Sequence, residues 1–166
     1  MSKCWSEGYR IHKDELPVKI LGIDPSFSDK TARCGIAVIS DGKLTECLQL
    51  RFKSAVGFVC ALLTAHKFAA VAIDYPTEKP VLFDQKRGQS MMKNCIATGN
   101  FEGIAFFAGV PIVRHMPGAA ATKLPKELWA ARFPEFTGRT PGQDARDAAI
   151  ICAWAASYLT VKEMKE

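Results

Sequence analysis

The chain has 166 residues, 48% of them hydrophobic and 23% charged, the balance of an ordinary globular protein and not of a collagen or a disordered chain. That length makes one domain, able to bury about 70% of its unfolded surface without a disulfide or metal staple. No run of ~18 apolar residues is present, which argues against a membrane span, and the net charge of +5 permits a polyanionic partner without requiring one.

Residues 1–16 lack periodicity and read as an N-terminal tail or arm, and MSKCWSEGYR is neither a secretory signal nor a transit peptide. Val18 to Asp24 is an apolar run closed by an acid, a strand. Pro25 to Arg33 is a loop, and Cys34 to Ser40 a second strand rich in β-branched residues. Asp41-Gly42 signals a hairpin turn into a third strand over Lys43 to Phe52. Ser54 is placed to cap a helix whose apolar residues recur through Val56, Val59, Cys60, Leu62 and Leu63. Phe68 to Asp74 is a compact apolar run, again closed by an acid, and reads as a buried parallel strand. Gly88 to Ala108 carries a long helix stopped by Gly109, and Val110 to Arg114 is a fifth strand. Thr122 to Phe133 predicts a helix with Pro125 near its start. Asp144 to Val161 is the last helix, strongly apolar. The domain is therefore expected over residues 17–162, with a short tail at 163–166.

The six cysteines include no C-x-x-C pair and therefore no soft-metal site, and most fall in apolar stretches as reduced core residues. The acids are more informative. Asp24 and Asp74 each end an apolar strand, and the carboxyl ends of strands in an open α/β sheet face the ligand crevice. Asp144 and Asp147 are three apart at the start of the last helix and share a face. If that helix packs beside the first and fourth strands, four carboxylates converge, a hard oxygen set suited to Mg²⁺ or Mn²⁺. Taken singly, each has a plainer reading: a turn-capping Asp, a helix N-cap at Asp144, an ion pair of Asp147 with Arg146. Asp29, Asp41, Asp84 and Glu102 lack this context and read as solvated. No G-x-G-x-x-G fingerprint supports a dinucleotide-binding fold.

Four segments carry a resemblance: ILGIDPS followed by CGIAVI, FAAVAIDYP, ATGNFEGIAFFAGVPIV, and GQDARDAAIICAWA. In these the chain resembles the RuvC-type Holliday junction resolvases of the ribonuclease H-like nucleases, over residues 18–160, including members of bacteriophage type. The resemblance implies an α/β ribonuclease H-like fold, with a five-stranded mixed sheet (three antiparallel strands, then two parallel) flanked by helices. It implies a Mg²⁺- or Mn²⁺-dependent endodeoxyribonuclease with two ions per active site, cutting phosphodiester bonds of four-way DNA. Carried over residue by residue, Asp24, Asp74, Asp144 and Asp147 become the metal ligands, and Lys123 a catalytic basic residue near the scissile phosphate, with Lys126 second. The family has Glu in its second motif where this chain has the shorter Asp74. Two other outcomes stay open: a broader branched-DNA nuclease, and a junction-binding protein with a weakened site.

Basic residues agree with a phosphate-rich partner. Lys79, Lys86, Arg87 and Lys93 face one acid over residues 79–93, and Arg114, Lys123, Lys126, Arg132 and Arg139 face two over 114–139. Tyr75 and Phe83 follow the second acid, where an aromatic ring can stack on an unpaired base, with packing under the loop the plainer reading for Phe83. Met91, Met92, Phe101 and Phe107 give the long helix more apolar surface than one face needs, in keeping with the homodimer the resemblance implies. The same reading expects no membrane partner and a cytoplasmic, nucleoid-associated location in a bacterial or phage-infected cell.

Overall fold

The computed structural model describes residues 19–26, 33–76, 85–116, 124–137 and 139–163. Five strands form one sheet: β1 (Lys19–Asp24), β2 (Cys34–Ser40), β3 (Lys43–Leu50), β4 (Ala70–Asp74) and β5 (Ile112–His115), in the order β3-β2-β1-β4-β5. The β1–β2 and β2–β3 pairs are antiparallel, and β1–β4 and β4–β5 parallel, the mixed sheet expected. Asp41 and Gly42 both take positive φ, 51° and 75°, which lets a two-residue turn follow the twist of the β2–β3 hairpin.

Alternation along the strands builds two cores. Leu21, Ile23, Ile36, Val38, Val71 and Ile73 face α1 (Phe52–Ala65) and α2 (Gln85–Phe107). Ile20, Ala37, Ile39, Ala70, Ala72 and Val113 face α4 (Gln143–Glu163). Trp129 and Phe133 of the short α3 (Trp129–Arg132) and its end close that second core, with the Trp129 ring 4.9 Å from Phe133 and 5.7 Å from Phe136.

The helix α4 rides low on the sheet. Its buried face is small: Ala145, Ala148, Ala149, Cys152 and Ala155 are fully enclosed. Opposite stand Gly22 and Gly35. A Cβ on Gly22 would meet Cys152 Cβ at 2.6 Å and collide with the Ala148 carbonyl, and one on Gly35 would collide with the Asp144 carbonyl group. The Cys152 thiol, fully buried and pushed up to about 12, donates to the Ile20 carbonyl at 3.1 Å.

Several expectations need correction. Helix α1 begins at Phe52 behind Arg51, with no side-chain cap, so Ser54 lies inside it. The Phe52 ring set edge-on at 6.0 Å to Phe101 anchors the start three residues earlier. The helix expected over Thr122 to Phe133 is only a 3₁₀ turn (Lys126–Leu128) leading into the single turn of α3, because Trp129 and Phe133 are drawn into the core. Its first two positions, 122 and 123, lie outside the described residues, as do the arm at 1–16, Phe83 and residues 164–166. Cys34 and Cys152 are core residues, but Cys60 and Cys95 are exposed. The α1 core stripe runs through Ala55, Val59 and Leu63, and Cys60 stands outside it. Among the described residues no helix is long and apolar enough to cross a membrane.

Candidate active site

Asp24 and Asp74 end adjacent parallel strands, one step beyond the Ile23–Ile73 pair. Both follow residues that face α1 and α2, so both turn to the α4 side. Across from Asp24 in the β1–β2 ladder is Gly35, and it is against Gly35 that the Asp144 backbone rests. The missing Cβ thus seats the first turn of α4, and with it Asp144 and Asp147, beside the two strand ends.

The electrostatics register that meeting. Burial, followed by the charges of Asp74, Asp147 and Asp144, raises the Asp24 carboxyl from 3.8 to about 8. Burial also raises Asp144, against a lowering by Arg33 and a hydrogen bond from Gln49. It raises Asp147 too, against hydrogen bonds from Gln143 and the Leu124 amide. The sequence-derived set of four is therefore one mutually repelling group.

The three outer carboxylates are each held by their own partner. Gln49 Nε2 donates to Asp144 Oδ2 at 2.8 Å, and Gln143 Nε2 to Asp147 Oδ1 at 2.6 Å. Asp74 Oδ1 lies 2.8 Å from His115 Nδ1. Behind Gln143, buried Arg146 donates to the Gln143 side chain and to the Leu124 and Pro141 carbonyls. Arg146 thus ties down the chain around α4, which replaces the surface ion pair with Asp147 as its role. Gln49, His115 and Arg33 carried no signal in the sequence, being isolated residues whose partners are remote in the chain; Gln143, four residues before Asp147, had a local signal in that spacing.

An all-carboxylate set whose central acid is destabilised by its neighbours' charge fits a hard divalent cation. The nearby Cys34 thiol is not a competing ligand, since burial lifts it to about 11 and it donates to the Ser26 carbonyl at 3.0 Å. Among the described residues no three such side chains close into a finished ligand cage.

Of the basic and aromatic candidates, Lys79 and Lys123 lie outside the described residues. Leu124, the residue after Lys123, reaches Asp147 through its amide, and Lys126 is exposed two residues further on. Lys86 and Arg87 fall in the first turn of α2, and Lys93 is exposed on that helix. Tyr75 is half-buried. Its hydroxyl accepts from Arg114 Nε at 2.8 Å, and the Arg114 guanidinium lies 5.2 Å from its ring centre. Arg114 also pairs with Glu102 at 2.9 Å, so Glu102 is not the unattached solvated acid expected.

No family model matches the chain, and no curated protein matches its sequence. Solved structures do. One is Thermus thermophilus RuvC in complex with Holliday junction substrate, with a TM-score of 0.65 and 22% identity, covering 87% of this chain and 96% of that one. Another is a Thermus thermophilus RuvC structure, with a TM-score of 0.56 and 19% identity, covering 87% and 97%. At that identity the likeness is one of fold: the five-stranded mixed sheet and its helices have the ribonuclease H-like arrangement of RuvC.

Proposed function

We propose that this chain is a divalent-cation-dependent endodeoxyribonuclease that resolves four-way DNA junctions. The observation that carries the reading is the meeting of Asp24, Asp74, Asp144 and Asp147, where burial and then the charges of the other three raise Asp24 to about 8. The RuvC-like fold, with a neighbour bound to Holliday junction substrate, supports the choice of substrate.

Asp24, central to the group, and Asp74, Asp144 and Asp147 around it would hold two Mg²⁺ or Mn²⁺ ions. A bound divalent ion supplies an activated water and neutralises charge on the scissile phosphate. The chain supplies the rest. Asp24 must release its proton before it can act as a ligand. Gln49 and Gln143 fix one oxygen each of Asp144 and Asp147, so these two enter with set orientation. Lys123 and Lys126 lie in the sequence on either side of Leu124, whose amide reaches Asp147, and would be the basic pair to meet a backbone phosphate. Lys79, Lys86, Arg87 and Lys93 would supply charge for the flanking duplex, whereas the Tyr75 ring, expected to stack on a base, packs on the α1–α2 side of the sheet against Arg114, away from the carboxylates. A homodimer would match the two-fold symmetry of a junction. The exposed Met92, Ile96, Phe106 and Phe107 of α2, the last 89% exposed, offer its apolar contact.

A second reading, a junction-binding protein with a weakened site, is favoured by one observation: among the described residues no three candidate ligands close into a cation cage. Incubating the protein with synthetic four-way, three-way and linear DNA in Mg²⁺ or Mn²⁺ tests both. Cleavage confined to four-way DNA, abolished in Asp24→Asn while junction binding persists, is the expected result. Cutting of every branched form points to a broader nuclease. Tight binding without cutting in either metal replaces the nuclease with the junction binder, and full cutting by Asp24→Asn removes the carboxylate group from the mechanism.

A further inference from the structure

His115 attracts no notice in the sequence, yet its surroundings in the fold are unusual. It is fully buried, on β5, directly paired in register with Asp74 of β4. The two strands are locked at that level, for the Tyr75 amide donates to the His115 carbonyl at 2.9 Å. One ring nitrogen, Nδ1, meets Asp74 Oδ1 at 2.8 Å. The other, Nε2, is buried without a hydrogen-bond partner among the described residues, and the ring stands edge-on to Trp154 of α4 at 4.8 Å.

A carboxylate oxygen accepts, so the hydrogen bond in this pair runs from Nδ1–H to Oδ1. Nε2 is left as a buried polar atom without a partner among the described residues, which costs about 1–3 kcal/mol. A leucine or phenylalanine would fill the same space against Trp154 without that cost. What the imidazole adds is a single donor, aimed at a single carboxylate oxygen. Among the four acids, Asp74 alone is held by a fully buried side chain.

We infer that His115 is a positioning residue for Asp74: its Nδ1–H fixes Oδ1, orienting the short carboxylate so that it ligates a divalent cation together with Asp24. The inference rests on the metal-dependent reading above. A histidine–carboxylate bond at one remove from a metal orients the ligand and commonly changes metal affinity 10–100-fold when broken. Here the imidazole is not itself a ligand, because it is closed off from solvent and turned against Trp154.

The test is Mn²⁺ binding to the full chain, by electron paramagnetic resonance and calorimetry without DNA, in the wild type and three variants. His115→Phe keeps the ring and removes the donor. His115→Asn keeps an amide donor near the Nδ1 position, and His115→Gln carries its amide further out, near Nε2. Weakening of Mn²⁺ binding by tenfold or more in His115→Phe and His115→Gln, with most of the affinity kept in His115→Asn, is expected. The metal concentration giving half-maximal cleavage should move by the same factor. Wild-type affinity in His115→Gln, or equal losses in Asn and Gln, overturns the inference, since packing alone would then explain the histidine. The Asn–Gln comparison decides the matter even if His115→Phe does not fold. An Asp74→Ala chain with unchanged Mn²⁺ affinity overturns it as well, by showing that Asp74 is no ligand. If the wild type binds no Mn²⁺, the metal reading fails and this inference falls with it.

Discussion

Replacing Asp24 by Asn should change how stability depends on pH, and the size of the change follows from the site. In the folded chain the Asp24 carboxyl sits at about 8, against 3.8 when unfolded. A group raised in this way favours the folded state fully below the unfolded value, and that contribution is lost as pH rises through the folded value. Between about pH 5 and 7.5 the native state holds one proton that the unfolded chain has released, so stability falls by about 1.4 kcal/mol per pH unit from this group. The sum from pH 5 to 8 is on the order of 3–4 kcal/mol. For a domain of this size each kcal/mol moves Tm by about 2–4 °C. Wild-type Tm measured by calorimetry without divalent ions should therefore fall by roughly 3–5 °C per pH unit over that window. Asn has nearly the same shape and cannot ionise, so Asp24→Asn should lose most of this slope and melt well above the wild type at pH 8. Added Mn²⁺ should raise wild-type Tm most at high pH, where Asp24 gives up its proton readily, and barely move the variant. Parallel Tm curves for the two proteins, or a variant less stable than wild type at pH 8, would refute the account of Asp24 as the crowded centre.

Three further outcomes follow. Gly35→Ala places a methyl group against the Asp144 carbonyl, so it should destabilise by about 1–3 kcal/mol or more and abolish cleavage, read by denaturant melts and the junction assay. Gln49→Ala removes the hydrogen bond that lowers Asp144, so Asp144 should ionise at higher pH. The acid limb of the cleavage profile should then shift upward, with a larger loss on its acid side than on its alkaline side. Replacing Lys86 and Arg87 together by Ala should reduce the log–log slope of junction binding against salt by about 2, as read by titrations at several salt concentrations, because each missing cation leaves one phosphate with its counterion still condensed.

The strands, their order of appearance and the four acids were legible because each is written locally. An apolar run closed by Asp, or two acids one helical turn apart, can be read without knowing the fold. Gln49, His115 and Arg33 were not, because their meaning lies in partners 95, 41 and about 110 residues away along the chain, a separation that no local periodicity encodes. The helix expected at Thr122 to Phe133 failed for a related reason. Trp129 and Phe133 have helical spacing, but what they answer to is the α4-side core, which needs only one turn to deliver both rings. Cys60 and Cys95 show the limit of hydrophobicity as a guide, since composition marks a residue as apolar without saying which side of its helix it occupies.

The low seat of α4 has a consequence for how such a chain can vary. Glycine and alanine faces in direct contact leave no slack, so the helix and sheet form a chassis that admits almost no change of volume at Gly22, Gly35, Ala148 or Cys152. The acids are bolted to that chassis, two on strand ends and two on the first two turns of the helix. Connecting segments follow each of the strands β1, β4 and β5, and in such segments substitutions and insertions disturb little packing. Selection acting on this architecture can therefore alter the connections while keeping an acid at each of the four positions, so relatives should diverge fastest in the connections and slowest where helix and sheet touch.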